Sequence, residues 1–164
     1  READEIAQHP SISAYQLDIN ELNDIAEEQI FDKQIDTLIF CATPKIFFRR
    51  TRKLHANYLS EFLDYYVVAF ATIFEKFSKQ APKRAFCINP STVAVEDSSL
   101  DLLEYRIAKL ALENLSLELR KLYPQIKILT PRLPRLDTDQ TRQIGAPIPS
   151  DTLDCLKQLV LEIQ

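Results

Sequence analysis

Hydrophobic positions in this chain fall into short runs and longer helical stripes. A short apolar run bounded by turn residues is typical of a buried β-strand, and strict alternation is typical of a half-buried one. An alternating stretch predicts a short strand over 12–17, and apolar runs predict buried strands over 35–41, 85–89 and 126–130.

Two longer stretches carry apolar residues at three- and four-residue steps, which is the spacing of one helix face. They predict long helices over 54–79 and 98–122. Ser98 and Asp101 are placed for a capping box at the start of the second helix.

Strands and helices alternate along the whole chain, with further short helices predicted over 20–29 and 150–163. Such alternation predicts an α/β fold, in which a parallel sheet carries helices on both faces. No internal repeat or linker divides the sequence, so we predict a single domain over residues 1–164.

The composition is that of a globular protein, with 46% hydrophobic and 27% charged residues among 164. The net charge of −4 disfavours a nucleic-acid partner. The longest apolar stretch is far shorter than the roughly 20 residues that cross a bilayer, and the polar N-terminus does not resemble a secretory signal. We therefore predict a cytoplasmic protein with neither a nucleic-acid nor a membrane partner.

The three cysteines, Cys41, Cys87 and Cys155, have no CxxC spacing. Two of them lie in apolar runs, which predicts buried free thiols in a reducing compartment. The two histidines, His9 and His55, have no metal-ligand spacing to Cys or Asp. We therefore expect no metal site.

Polar stretches follow the predicted strands, at the edge of the sheet where open α/β proteins bind ligands. They are residues 41–44, 89–92 and 133–138. The second stretch ends at Thr92, thirteen residues before Tyr105, and Lys109 follows one helical turn later. Positions i and i+4 share a helix face, so we expect the Lys109 ammonium beside the Tyr105 phenol. A neighbouring cation lowers a tyrosine pKa, which suits general acid–base catalysis near neutral pH.

This chain resembles the short-chain dehydrogenase/reductase family at the Tyr105–Lys109 motif, at Thr92 and in the run Leu136-Asp137-Thr138. The resemblance implies a Rossmann-like sheet and an NAD(P)-dependent oxidoreductase that reduces a carbonyl or oxidises an alcohol. It implies that Tyr105 transfers the substrate proton and that Lys109 binds the nicotinamide ribose and lowers the tyrosine pKa. Thr92 stands where the family usually has serine, and Ser91 is the second candidate for that role.

The resemblance also implies NADP or NAD as the cofactor. Asp18 and Ile19 are similar to the family's pair that contacts adenine, so both are expected to bind the cofactor together with Lys109. Thr138 matches the threonine that contacts the nicotinamide carboxamide. The substrate loop over 131–149 has no diagnostic residue, so the sequence does not specify the substrate.

The chain departs from the family pattern in its glycines and at two motif positions. Gly145 is its single glycine, and the family's first strand, glycine-rich loop, first helix and second strand have no counterpart. Phe40-Cys41-Ala42-Thr43 replaces the family's Asn-Asn-Ala-Gly, and the helix asparagine of the family's proton relay aligns with Ala69. We therefore expect either an incomplete part of a longer protein or a degenerate homologue that has abandoned the cofactor.

A basic run follows the strand predicted over 35–41 and consists of Lys45, Arg49, Arg50, Arg52 and Lys53. It indicates either a solvated loop or a site for an anionic partner, such as a cofactor phosphate or an acidic carrier protein.

The helices over 54–79 and 98–122 carry more apolar surface than one sheet can cover. In the family the equivalent helices pair between subunits, so we expect a homo-oligomer. Three hypotheses for function follow from these observations: an NAD(P)-dependent oxidoreductase, a catalytically weak homologue that serves as a structural partner, and a binding module for an acidic carrier or anionic ligand.

Overall fold

The computed structural model describes residues 34–46, 53–96 and 102–136, together with single positions at 15, 19, 31, 151, 154, 155, 157 and 161. The predicted helix over 20–29 lies outside the described residues, and so does the predicted strand over 12–17 except for Tyr15. The four described positions from 154 to 161 are helical, and the rest of the predicted C-terminal helix lies outside as well.

A parallel sheet forms the centre of the described chain. The strands of this sheet and of a second, smaller one are β1 (Thr37–Ile39), β2 (Ala85–Ile88), β3 (Ser91–Thr92), β4 (Ile126–Leu129) and β5 (Arg132–Leu133). In the main sheet the order is β1-β2-β4, with Leu38 opposite Cys87 and Cys87 opposite Ile128. The prediction of a parallel α/β fold is confirmed.

Two long helical segments connect the strands of the main sheet. The first consists of α1 (Ala56–Leu63), a π-helical segment (Asp64–Ala69) and α2 (Phe70–Gln80), and the second is α3 (Leu103–Leu122). Both crossovers move one strand in the same direction across the sheet, and such crossovers are right-handed, so both helices lie on the same face. There they pack against each other. None of the helices in the described parts of the chain is long and apolar enough to span a membrane.

Aromatic side chains dominate the core between the sheet and these helices. Phe70, Phe74 and Phe77 are fully buried along one stripe of α2. Phe40, which follows β1, contacts Phe70 with ring centroids 5.3 Å apart, and Leu112 reaches the same cluster from α3. Burial of each such side chain stabilises the fold by roughly 2–3 kcal/mol. This packing sets the rotation of both helices and therefore determines which residues face the carboxyl end of the sheet.

The β1 segment differs from the sequence-based expectation. The strand predicted over 35–41 covers only Thr37–Ile39, and Ile39 is 59% exposed. The physical reason is that β1 is an edge strand in the described chain, where β2 is its one neighbour. Cys41, just after this edge strand, is exposed, so the prediction of a buried thiol is wrong there. It is confirmed for Cys87, which lies in the central strand.

Helix α3 begins at Leu103, later than the predicted start at Ser98, and the predicted capping residues Ser98 and Asp101 lie outside the described residues. Leu102 adopts the left-handed conformation with φ 62° and ψ 29°, and its side chain makes no capping hydrogen bond. Its carbonyl accepts the first helical hydrogen bond, from the Arg106 N–H at 2.9 Å. A left-handed leucine costs on the order of 1–2 kcal/mol.

Beyond the main sheet, β3 and β5 form a short parallel pair that was not predicted from the sequence. Thr92 lies opposite Leu133 in this pair. The pairing continues the ladder of the main sheet, since the Ser91 N–H donates to the Pro131 carbonyl at 2.8 Å. The pair therefore holds Thr92 just beyond the carboxyl end of β2.

Candidate active site

Thr92 and Tyr105 lie side by side at the carboxyl end of the sheet. The Thr92 hydroxyl oxygen accepts a hydrogen bond from the Ala94 N–H at 3.2 Å, in the turn that opens a short 3-10 helix. Tyr105 is in the first turn of α3, and its phenol is hydrogen-bonded to the Thr92 side chain. The structure therefore brings together the Thr92 hydroxyl and the Tyr105 phenol, which are thirteen positions apart in the sequence.

Lys109 lies one turn further along α3 and is only 8% exposed. Its Nζ donates a hydrogen bond to the Pro90 carbonyl oxygen at 2.7 Å. The same atom lies 3.9 Å from the centroid of the Tyr66 ring and 5.9 Å from the centroid of the Tyr105 ring. The ammonium thus sits between two tyrosine rings and a backbone carbonyl.

Burial lowers the pKa of Lys109 from its ordinary 10.5 to about 8, because desolvation penalises the charged form. The negative charges that Cys41 and Glu113 can carry oppose this effect. Lys109 therefore remains mostly protonated at neutral pH and loses its proton within the mildly alkaline range.

Tyr66 belongs to the π-helical segment and is 1% exposed. Its phenol is hydrogen-bonded to the hydroxyl of Thr43, which follows β1, and the Thr43 hydroxyl also donates to the Pro44 carbonyl at 3.1 Å. The rings of Tyr66 and Tyr105 meet edge to face with centroids 5.8 Å apart. Burial raises the pKa of Tyr66, so its phenol stays neutral.

The pKa of Tyr105 differs from the expectation that Lys109 would lower it. Burial raises this pKa above its ordinary value of 10, and the hydrogen bond from Thr92 opposes the rise. The reason is geometric, because the ammonium lies over the Tyr66 ring and bonds to Pro90 instead. Tyr105 therefore holds its proton at neutral pH, which is the state that a proton donor requires.

Ser91, the second candidate hydroxyl, is engaged in a network beneath the site. Its hydroxyl donates to Glu113 Oε1 at 2.6 Å. Arg132 donates to both oxygens of the same carboxylate, at 2.9 and 2.7 Å, and to Glu96 at 2.6 Å. The Arg132 hydrogen bonds are the main reason that the pKa of Glu113 is lowered. The network ties β3, β5 and α3 together around Thr92.

Of the remaining predicted cofactor residues, Ile19 is the one that the structure describes. Asp18 and Thr138 lie outside the described residues. Ile19 is partly buried against the core and lines a recess of about 700 Å³ beside α1 and the π-helical segment. Neither Tyr105 nor Lys109 lines that recess, so its size does not mark the site of the chemistry.

Of the basic run, Lys45 and Lys53 are described and exposed, and Arg49, Arg50 and Arg52 lie outside the described residues. Within the described ranges, no group of three or more His, Cys, Asp or Glu side chains is arranged to hold a metal ion.

Sequence reasoning missed Tyr66, Thr43 and Glu113 as members of the site. Tyr66 fits the apolar stripe of the helix predicted over 54–79, so periodicity alone marks it as core. Thr43 lies in one of the three polar stretches but had no predicted role. Glu113 is four residues after Lys109, and this spacing was a usable signal for a neighbour on the same helix face.

Several solved structures share this architecture. The crystal structure of BdcA in complex with NADPH covers 98% of this chain and 71% of its own, with a TM-score of 0.79 at 15% identity. A short-chain dehydrogenase from Salmonella enterica serovar Typhi covers 98% and 72%, with a TM-score of 0.80 at 14% identity. This chain has the short-chain dehydrogenase/reductase fold.

A third structure that shares this architecture is FolM alternative dihydrofolate reductase 1 from Brucella suis in complex with NADP. It covers 79% of this chain and 55% of its own, with a TM-score of 0.65 at 16% identity. No family model and no curated protein sequence matches the chain. At such identities the similarity establishes the fold, and activity has to be argued from the site.

Proposed function

We propose that this chain carries the active site of an NADP(H)-dependent reductase that converts a carbonyl to an alcohol. The observation that supports this most directly is the cluster in which Thr92 is hydrogen-bonded to Tyr105 while the Lys109 ammonium lies 5.9 Å from the same ring. A proton donor, a polar group on its oxygen and a nearby cation are the parts that proton transfer to a carbonyl oxygen needs.

The residues present suit the reacting end of such a cofactor. Lys109 has three hydrogens, and the Pro90 carbonyl accepts one of them, so others remain for ribose hydroxyls. Structures with this fold that contain NADPH or NADP support the cofactor class. With Gly145 as its single glycine, the chain itself does not supply a glycine-rich loop for the pyrophosphate, so the proposal concerns the nicotinamide end.

When bound, the cofactor supplies the hydride that adds to the carbonyl carbon. Tyr105 donates its phenolic proton to the carbonyl oxygen, since burial keeps that proton in place at neutral pH. The hydrogen bond from Thr92 and the positive charge of Lys109 then stabilise the phenolate that remains. The same raised pKa disfavours the reverse reaction, which needs a phenolate at the start, and so favours reduction over alcohol oxidation.

The first experiment is a thermal shift of the full protein with NADPH and with NADH. A ligand that binds the folded state raises the melting temperature, by an amount that grows with its concentration. A rise with NADPH at millimolar concentration is the expected result. No rise with either cofactor would refute the enzyme hypothesis.

The second experiment substitutes Tyr105→Phe, which removes the proton donor and preserves the ring. General acid catalysis contributes roughly 10²–10⁴-fold, so NADPH-dependent reduction of a panel of ketones and aldehydes should fall by about that factor. Tyr123→Phe is the matched control, because it removes a phenol at the far end of α3, where the ring packs on Phe74. Equal activity of the two variants would contradict the assignment of Tyr105.

A second candidate function is a catalytically weak homologue that acts as a structural partner. Two observations favour it: Lys109 bonds to Pro90 rather than to the Tyr105 oxygen, and Ala69 is buried at the position where the family resemblance expects a relay asparagine. Such a protein would show neither a cofactor shift nor an effect of Tyr105→Phe, so the same two experiments separate the candidates.

We also propose that the protein forms a homo-oligomer. Helix α3 leaves Ile107, Leu110 and Leu117 exposed, and Val68 is exposed on the π-helical segment that packs beside it. Apolar side chains grouped on neighbouring helices are typical of subunit contacts. An acidic carrier protein remains a further predicted partner, supported by the exposure of Lys45 and Lys53.

A further inference from the structure

We propose that Tyr66 is the positioning residue of this site, whose aromatic face holds the Lys109 ammonium in place beside Tyr105. This inference deepens the proposed function and rests on it for its meaning in catalysis. The contact itself can be tested without any cofactor or substrate.

The geometry is that of a cation–π interaction. Lys109 Nζ lies 3.9 Å from the centroid of the Tyr66 ring, well within the roughly 6 Å over which a cation is attracted to an aromatic face. The Tyr105 ring is further away, at 5.9 Å from the same atom. Both partners of the closer contact are buried, and such contacts are stronger when water is excluded.

The π-helical segment Asp64–Ala69 places Tyr66 at this point. A π-helical turn contains more residues than an α-helical turn and shifts the register of the side chains that follow. Ala69, aligned with the family's relay asparagine, ends the same segment and offers only a methyl group. Tyr66, three residues earlier on the same segment, provides the aromatic face that Lys109 contacts.

Hydrogen bonding fixes the role of the Tyr66 hydroxyl. The Thr43 hydroxyl is placed to donate to the Pro44 carbonyl and is also hydrogen-bonded to the Tyr66 hydroxyl, where either oxygen can be the donor. The Tyr66 hydroxyl is therefore engaged with Thr43, and its ring is the part that contacts Lys109. Tyr105 is left as the proton donor.

The charged and titratable groups around Lys109 come from three elements. Cys41 follows β1, Tyr66 lies on the π-helical segment, and Tyr105 and Glu113 share α3 with the lysine. Cys41 and Glu113 favour the protonated lysine, whereas burial disfavours it. We infer that the Tyr66 face is a further group that keeps the ammonium charged.

The test is an NMR titration of the ¹⁵N-labelled lysine side chains in the intact protein, with the Lys109 signal assigned through Lys109→Met. Lys109 should titrate near pH 8. In Tyr66→Leu the protonated form loses the aromatic face, and we expect a roughly tenfold loss of proton affinity, which moves the midpoint down by about one pH unit. Tyr66→Phe keeps the ring and should leave the midpoint almost unchanged.

Phe70→Leu is the matched control, since it removes another fully buried ring from the same helical segment. It should destabilise the protein to a similar degree without moving the Lys109 midpoint. If Tyr66→Leu does not fold, pentafluorophenylalanine at position 66 preserves the shape of the ring and reverses its charge distribution, and it should lower the midpoint as well. An unchanged midpoint with either substitution would overturn the proposal.

The outcomes for the inference and for the proposed function are distinguishable. If NADPH produces no thermal shift, the enzyme hypothesis fails, and the titration still decides whether Tyr66 holds Lys109. If reductase activity is present, Tyr66→Leu should move the alkaline limb of the pH profile of kcat/KM downward with the Lys109 midpoint, and Tyr66→Phe should restore it. An activity loss in Tyr66→Leu with an unshifted pH profile would indicate a structural role only and would contradict the proposal.

Discussion

Substitution of Lys109 by methionine should stabilise this protein, although it removes a residue of the candidate site. Methionine is similar in length to lysine and carries no charge, so it can occupy the same buried position. The pKa of Lys109 falls from 10.5 to about 8 on folding, which corresponds to roughly 3 kcal/mol of destabilisation at pH 7. Lys109 is 8% exposed, so solvent does not screen much of this effect.

Part of the stability gained by removing the ammonium is lost, because the Pro90 carbonyl would no longer accept its 2.7 Å hydrogen bond. An unsatisfied buried carbonyl costs on the order of 1 kcal/mol. The net expectation for Lys109→Met at pH 7 is therefore about 2 kcal/mol of additional stability. For a chain of this size that raises the melting temperature by roughly 4–8 °C.

The effect should depend on pH with a defined sign. Between pH 8 and pH 10.5 the unfolded lysine binds more protons than the folded one, so the wild type gains stability as the pH rises. The advantage of Lys109→Met should therefore shrink across this range and vanish before pH 10.5, because the net gain of about 2 kcal/mol is smaller than the roughly 3 kcal/mol that deprotonation restores to the wild type.

Urea unfolding at pH 7, 8.5 and 10 measures these differences. Lys121→Met is the control on the same helix, because Lys121 is exposed and pairs with Glu118 at 2.6 Å, a contact typically worth less than about 1 kcal/mol. A less stable Lys109→Met at pH 7, or a difference that stays constant with pH, would refute the reasoning.

Two further predictions concern the network and the assembly. Glu113→Gln should lower the free energy of unfolding by about 1 kcal/mol at pH 7, allowing for solvent screening. The difference from the wild type should vanish as the pH falls below 4.5. The reason is that the lowered pKa of Glu113 stabilises the folded state above that pH and the stabilisation is lost as the carboxylate gains its proton. Equal urea midpoints at pH 7 would contradict this. Light scattering at micromolar concentration should show an oligomer that Leu117→Lys weakens, and a monomeric wild type would rule out the proposed assembly.

The sequence was sufficient to predict the fold and to select three residues that lie close together, because the signals involved are local. Strand and helix periods are set by the geometry of neighbouring residues, so the runs at 85–89 and 126–130 identified β2 and β4 within one residue. The i, i+4 spacing of Tyr105 and Lys109, with Thr92 upstream, likewise follows from helix geometry, and the structure brings these three residues together.

Only the tertiary structure decided what surrounds those residues. Tyr66 and Lys109 are 43 positions apart (109 − 66), and no periodicity indicates that a core tyrosine on one helix will lie against a lysine on another. The left-handed Leu102, the pairing of β3 with β5 and the bond from Arg132 to Glu113 are also contacts or strains imposed by packing.

The pKa shift of Tyr105 also separates what the sequence determines from what the tertiary structure determines. Spacing on one helix correctly placed a cation near the phenol, but the sign of the shift depends on desolvation and on where the ammonium points. Both are determined by the packing of β1, the π-helical segment and α3 against one another. Local sequence determines which groups are present on a helix face, and the tertiary fold determines how much water and which partners each group keeps.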